Sequence, residues 1–190
     1  HLDAFSRVGS ALAPLSNWIA ASPPQRWLLS WLGIAPQRRL PPFRRARFSR
    51  WFAHHTRRRH GSAHHAANGI GQADERPPVV LFQDTFMEYN VPSLGRDAVE
   101  VLERAGYRVL VPARTCCARP AISMGLLDEA REQARFNVQA LHPYAERGLP
   151  IVGVEPSCIL TLKDDYLDLV PGAAAETVAS RVSTIDEFLQ

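Results

Sequence analysis

The sequence predicts an α/β fold: a small three-strand parallel sheet of βαβαβ pattern with C-terminal helices, preceded by an α-helical segment and a disordered linker. Three observations carry this. Three short apolar runs, 78–82, 107–111 and 150–154, have the length and β-branched content of buried strands. The stretches after the first two repeat apolar residues at spacings of three and four, as helices do. Charge also divides the chain: residues 1–76 hold 12 basic and 3 acidic side chains, whereas 77–190 hold 10 and 16. Strands alternating with helices imply a parallel sheet with right-handed crossovers. A basic half beside an acidic half implies separate structural units.

The expected units are 1–53, a helical docking segment with a Pro/Arg-rich connector; 54–76, a flexible His/Arg-rich linker; and 77–190, the α/β domain. In the first, Leu2, Phe5, Val8, Leu12, Leu15 and Ile19 form an amphipathic stripe. Ser22-Pro23-Pro24 breaks it and starts a second helix carrying Trp27, Leu28, Trp31 and Leu32, ended by Gly33. Two such helices cannot bury themselves alone and are read as docking on another domain; a membrane surface is the rival partner. The run from Leu40 to Phe52 interleaves Arg44, Arg45, Arg47 and Arg50 with Phe43, Phe48, Trp51 and Phe52. That mixture suits a single-stranded nucleic-acid surface, but without a folded platform it reads as a connector. Lys163 is the only lysine, so arginine abundance here is compositional and nucleic acid is not an expected partner. His54, His55, His60, His64 and His65 lie in a polar, aperiodic stretch and are read as linker rather than a metal site.

In the α/β half, Leu94, Ala98, Val101, Leu102 and Ala105 make the face of the first helix, closed by Gly106. Leu127, Ala130, Ala134, Val138, Leu141 and Ala145 make that of the second, with Ser123 as N-cap and Gly148 beyond its end. A short helix is expected from Ser157 to about Tyr166, and a last one carrying Val178, Val182, Ile185 and Leu189.

The chain has three cysteines: Cys116 and Cys117, after the second strand, and Cys158, after the third. Ends of parallel strands lie side by side, so the three are read as one cluster. Arg114 and Arg119 flank the doublet, and Cys158 opens a helix; both settings are expected to favour thiolate, the ligating form. Glu155 and Asp84 close strands at the same edge and are the nearest oxygen donors. A conventional iron–sulfur cluster wants four cysteines, so a metal here needs a carboxylate, an outside ligand or an open position. Three cysteines, two of them adjacent, do not make a disulfide framework, which points to a reducing compartment. His142 lies away from the strand ends, so a Cys–His nucleophile pair has little support, and there is no P-loop or Gly-x-Gly-x-x-Gly.

The residues around these cysteines carry a resemblance. The segments Cys116-Cys117-Ala118-Arg119-Pro120, Ser123-Met124-Gly125-Leu126-Leu127 and Pro150 to Cys158, with Phe82-Gln83-Asp84-Thr85-Phe86 and Leu40-Pro41-Pro42-Phe43, resemble the cysteine-rich CCG domain of heterodisulfide reductase-like proteins. Within it they look like the C-terminal region of fused FAD-binding/iron–sulfur oxidases of the D-lactate and D-2-hydroxyglutarate dehydrogenase type. Three departures stand out. Asp84 or a neighbour stands where the family has its first Cys, Glu155 where it has another, and Ala118 replaces a glycine.

The resemblance implies an electron-transfer domain of an FAD-linked oxidoreductase acting on a 2-hydroxy acid. Cys116, Cys117 and Cys158 would ligate an iron–sulfur cluster or a mononuclear iron or zinc, with Glu155 and Asp84 as oxygen ligands and Arg119 and Ser123 beside the site. No catalytic residue is assigned in this chain. FAD and ferredoxin-like domains would lie outside it, in the same polypeptide or complex, with a quinone as a candidate acceptor. A chain beginning at His1 is accordingly expected to be part of a longer protein. No apolar stretch approaches the roughly 20 residues of a membrane span, so the expected location is cytoplasmic, with peripheral membrane contact as the variant. The competing reading is a structural or interaction module whose cysteines are buried or zinc-bound.

Overall fold

The computed structural model describes residues 2–22, 27, 31, 41–60 and 75–190. Its sheet has four parallel strands in the order β2-β1-β3-β4: β1 (Pro78–Leu81), β2 (Arg108–Leu110), β3 (Ile151–Gly153) and β4 (Val182–Thr184). The fourth strand corrects the sequence reading. Val178, Val182, Ile185 and Leu189 keep helical spacing, yet the chain runs as α10 (Ala173–Ala179), then β4, then α11 (Ile185–Phe188). Helix α10 stops at Ser180, and a capping box between Thr184 and Glu187 starts α11. The short stretch between them is free to pair with β3.

Period-two alternation sorts the strand side chains into two cores. Val80, Phe82, Ile151 and Val182 face one side, covered by α7 (Leu127–Ala145), α8 (Pro156–Lys163), α9 (Asp165–Leu169) and α10. Val79, Leu81, Val109 and Val152 face the other, covered by α3 (Phe48–His60), α4 (Thr85–Tyr89), α5 (Pro92–Arg104) and α11. The first crossover leaves β1 toward β2, and the second returns past β1 to β3. The C-terminal ends of β1 and β3 therefore flank the point where the strand order reverses, which is where open α/β sheets form crevices.

Helix α3 begins within the expected connector and crosses the expected 53/54 boundary without interruption. Phe48 is fully buried and anchors it, while Ser49 and Glu88 join it to α4 by hydrogen bonds of 2.6 and 2.9 Å. His54, His55 and His60 are thus helical. The ring of His55 stacks on Trp51 and meets Glu103 at 3.0 Å. His64, His65 and Gly33 lie outside the described residues.

The N-terminal helices α1 (Leu2–Ala11) and α2 (Leu15–Ala21) dock by their small and polar side. Ser6, Ser10 and Ala13 are buried. Ser10 donates to the Arg44 carbonyl at 2.6 Å, and Asn17 exchanges two hydrogen bonds with the Phe43 backbone. The ring of Phe43 lies where a Cβ on Gly9 would have to go, 2.6 Å away. The apolar stripe read from sequence consequently points outward: Phe5, Val8, Leu12, Leu15 and Ile19 are at least half exposed. Trp18, Trp27 and Trp31 are 72, 73 and 74% exposed. Among the described residues no helix is long and apolar enough to cross a membrane.

Candidate functional site

The crevice at the strand ends is a cavity of about 330 Å³. Cys116, Cys117 and Cys158 all line it, with Thr85, Phe86, Arg119, Pro120, Ser123, Glu155 and Ser157. The doublet lies in the loop between β2 and the short helix α6 (Arg119–Ser123). Cys158 is the third residue of α8, which Pro156 opens. The α8 backbone sits very close to β3: a Cβ on Gly153 would lie 2.6 Å from Ile159 Cβ. That contact fixes where Cys158 stands.

The loop carrying the doublet is held from within the core. Asn137, fully buried on α7, accepts from Thr115 N–H at 2.9 Å and donates to the Cys116 carbonyl at 3.0 Å. It also donates to the Tyr166 hydroxyl at 2.8 Å, which in turn donates to the Cys117 carbonyl at 3.2 Å. Burial raises the Tyr166 pKa further above its ordinary value, so the hydroxyl remains a donor. Neither residue was singled out from sequence. The available signal was Asn137 itself, three residues after Ala134 and four before Leu141, a polar side chain on a buried helix face. Ala118 completes the loop in the left-handed region, at φ 74°. This is a conformation that ordinarily favours glycine.

At the doublet the expected thiolates are corrected by the structure. A hydrogen bond to Cys117, then burial, push the Cys116 thiol well above its ordinary value. Cys117 gains from the Cys116 hydrogen bond, but its bond to Cys158 and its burial outweigh this and push it up to about 12. The flanking arginines do not reverse the effect. Arg114 is committed to Asp3 at 2.5 Å and to Thr85 at 3.4 Å. Arg119 and Ser123 both line the cavity. Ser123, expected as the N-cap of α7, is instead the last residue of α6; Leu126 occupies that cap position.

The sulfurs of Cys117 and Cys158 are 3.0 Å apart. Two thiolates on one tetrahedral zinc, each about 2.3 Å from the metal, stand nearly 4 Å apart. Among the described residues no three His, Cys, Asp or Glu side chains are arranged to hold a metal ion. Of the two expected oxygen donors, Glu155 lines the cavity and accepts from Ser157 at 2.9 Å. Asp84 is buried and caps α4, accepting from Met87 N–H at 2.9 Å. An ordinary four-cysteine cluster does not fit this donor set.

Burial holds the Asp84 carboxyl above its ordinary value of 3.8, against backbone hydrogen bonds from Met87 and Phe86. A group that binds its proton more tightly when folded stabilises most below its unfolded pKa. That stabilisation is lost as pH rises through the raised value. Asp84→Asn keeps the cap and removes the buried charge, so at pH 7 its melting temperature is expected to match or exceed that of the wild type. Asp84→Ala loses the cap and about 1 kcal/mol. Thermal melts at pH 4 and pH 7 check both; an Asn variant as damaged as Ala at pH 7 would refute the cap-without-charge account.

Residues 80–163 match the profile of the family described as CCG, Cysteine-rich domain. That segment is a CCG domain. Similarity extends beyond it on both sides. Over 173 residues the chain is 31% identical to one of the subunits of anaerobic glycerol-3-phosphate dehydrogenase from Escherichia coli K12, covering 90% of this chain and 40% of that protein. Lactate utilization protein A of an Exiguobacterium species is 32% identical over 118 residues, covering 60% of this chain and 47% of that protein. D-2-hydroxyglutarate dehydrogenase of Pseudomonas putida is 30% identical over 107 residues, covering 56% of this chain and 10% of that protein. The chain thus spans less than half the length of each of these relatives. They are oxidoreductase-family proteins, and what this chain shares with them includes the CCG domain. No solved structure matches.

Proposed function

We propose that this chain is the CCG part of an FAD-linked dehydrogenase that oxidises a 2-hydroxy acid of the D-lactate or D-2-hydroxyglutarate class. Its thiol site would serve electron transfer. One observation carries the reading: all three cysteines of the chain line a single cavity at the switch point of the sheet. The names of the relatives support the substrate class, since glycerol-3-phosphate, lactate and 2-hydroxyglutarate each present a secondary hydroxyl for oxidation. The flavin and ferredoxin-like domains lie elsewhere in the same protein or complex, and a quinone is the acceptor.

In this reading Cys116, Cys117 and Cys158 would hold an iron–sulfur or mononuclear metal centre once the Cys117 and Cys158 sulfurs move apart from their 3.0 Å contact. A fourth donor comes either from Glu155 or from outside this chain. Such a centre would supply one-electron transfer chemistry. The chain's own residues supply the rest: Asn137 and Tyr166 fix the doublet, Gly153 lets α8 approach, and Arg119 offers positive charge at the cavity wall.

The test is anaerobic purification of the assembled protein followed by iron, zinc and acid-labile sulfide analysis. Stoichiometric metal is expected in the wild type, with several-fold loss in Cys116→Ser. A wild-type complex that reduces its flavin with substrate yet holds no stoichiometric metal would overturn the ligand assignment. Zinc without iron or sulfide would overturn the relay, since zinc has no redox chemistry. Either result would favour the structural reading of the cysteines.

A further inference from the structure

We infer that Cys117 and Cys158 form a peroxide-sensitive dithiol that closes to an intramolecular disulfide, with Cys116 left as a free thiol. The inference goes beyond the proposed electron-transfer role and concerns the metal-free chain, since a centre held by these same sulfurs would block closure. Its basis is geometric. The two sulfurs stand 3.0 Å apart, brought together from positions 41 residues apart in sequence. A disulfide bond is about 2.04 Å long, so closure needs an approach of about 1 Å, within reach of small side-chain rotations. Both sulfurs face the same cavity, which gives a molecule as small as hydrogen peroxide a route in.

The cavity also sets the order of events. Cys158 is 9% exposed, against 2% for Cys117 and 3% for Cys116. In this scheme Cys158, the most exposed residue of the three, reacts first. Its thiol takes one peroxide oxygen to become a sulfenic acid, and the O–O bond breaks with release of water. The Cys117 sulfur then attacks the Cys158 sulfur and displaces a second water. In sum, two thiols and one hydrogen peroxide give one disulfide and two waters; the cysteine pair is oxidised by two electrons and the peroxide reduced by two. Cys116 is a poor competitor, because a bond between adjacent cysteines closes a strained eight-membered ring. Its carbonyl is moreover pinned by Asn137. The loop is anchored at Thr115, Cys116 and Cys117, so the resolving sulfur is held in place while the attack occurs.

The experiment uses the full chain, stripped of metal with a chelator, reduced and freed of reductant, then exposed to a small excess of hydrogen peroxide. Free thiols are alkylated under denaturing conditions and the peptides mapped by mass spectrometry. The expected result is joint loss of the Cys117 and Cys158 thiols, a peptide pair linked through them, an alkylated Cys116, and full recovery with dithiothreitol. In Cys117→Ser, dimedone is expected to label Cys158, because the sulfenic acid has lost its resolving partner; circular dichroism checks that this variant is folded. The wild-type map stands without any variant. Three free thiols after peroxide, a Cys116–Cys117 bond, a disulfide between two chains, or Cys158 oxidised to sulfinic acid without a link would each overturn the proposal.

Discussion

Replacing Asn137 by alanine is expected to cost about 3–5 kcal/mol of folding stability, since it strands two buried polar groups and one half-buried one at roughly 1–3 kcal/mol each. Thr115 N–H, the Cys116 carbonyl and the Tyr166 hydroxyl all lose a partner in this substitution. Asn137 and Tyr166 are fully buried and Cys116 nearly so, so the Cys116 carbonyl and the Tyr166 hydroxyl carry most of the cost, whereas Thr115 is half-buried. A loss of that size is a large share of the about 5–15 kcal/mol that usually separates folded from unfolded chains. The damage should also be local. The doublet loop loses its inner anchor, so the Cys116 and Cys117 thiols should alkylate faster in the native protein. Tyr166→Phe removes one hydroxyl and should cost less, about 1–2 kcal/mol. Urea denaturation of the three proteins gives the comparison. An Asn137→Ala loss below about 1 kcal/mol, the worth of a single ordinary hydrogen bond, would show that the network does not hold the loop.

The second large effect is expected at Gly153. A methyl group there would sit 2.6 Å from Ile159 Cβ and 2.8 Å from its Cγ1. A Cβ is fixed to the backbone, so relief requires α8 to move off β3 rather than a side chain to rotate. Overpacking of this kind costs about 1–3 kcal/mol and occasionally more, and here the upper end is expected. Ile159→Ala should not rescue Gly153→Ala, because alanine keeps the offending Cβ. The site should register the shift as well, since α8 carries Cys158. The Cys117–Cys158 pair should close more slowly under peroxide in the variant. Equal stability of wild type and Gly153→Ala would mean that the helix and strand separate at no cost.

The sheet was legible because its strands are nearly uninterrupted apolar runs. Helices α5 and α7 were legible because they repeat at helical spacing beside Gly106 and Gly148. β4 was not, since Val178, Val182, Ile185 and Leu189 fit a helix that the chain does not form there. Strand pairing with β3 decided the matter, and pairing is invisible in a periodicity. The convergence of Cys116, Cys117 and Cys158 followed from strand ends alone, because parallel topology places them on one edge. The protonation of the doublet did not follow, since neighbouring arginines are visible in sequence while burial and Arg114's commitment to Asp3 are not. The outward turn of Phe5 and Leu12 was equally hidden. An amphipathic pattern shows that two faces differ, and only the seating of Ser10 and Asn17 on the Phe43–Arg44 backbone shows which one the chain covers itself.

The ion pair between Asp3 and Arg114 bears on how this protein can be taken apart. Arg114 stands two residues before the doublet, with its side chain only 5% exposed. Trimming the first 22 residues to obtain a minimal cysteine domain would delete the carboxylate that neutralises it. The cut would remove the acceptor of the Tyr89 hydroxyl and leave the guanidinium only the Thr85 hydroxyl and the face of the Tyr89 ring. A boundary drawn at Pro77 from sequence similarity would therefore sever the loop bearing Cys116 from its outermost support. The smallest piece that preserves that support starts at the N-terminal helix.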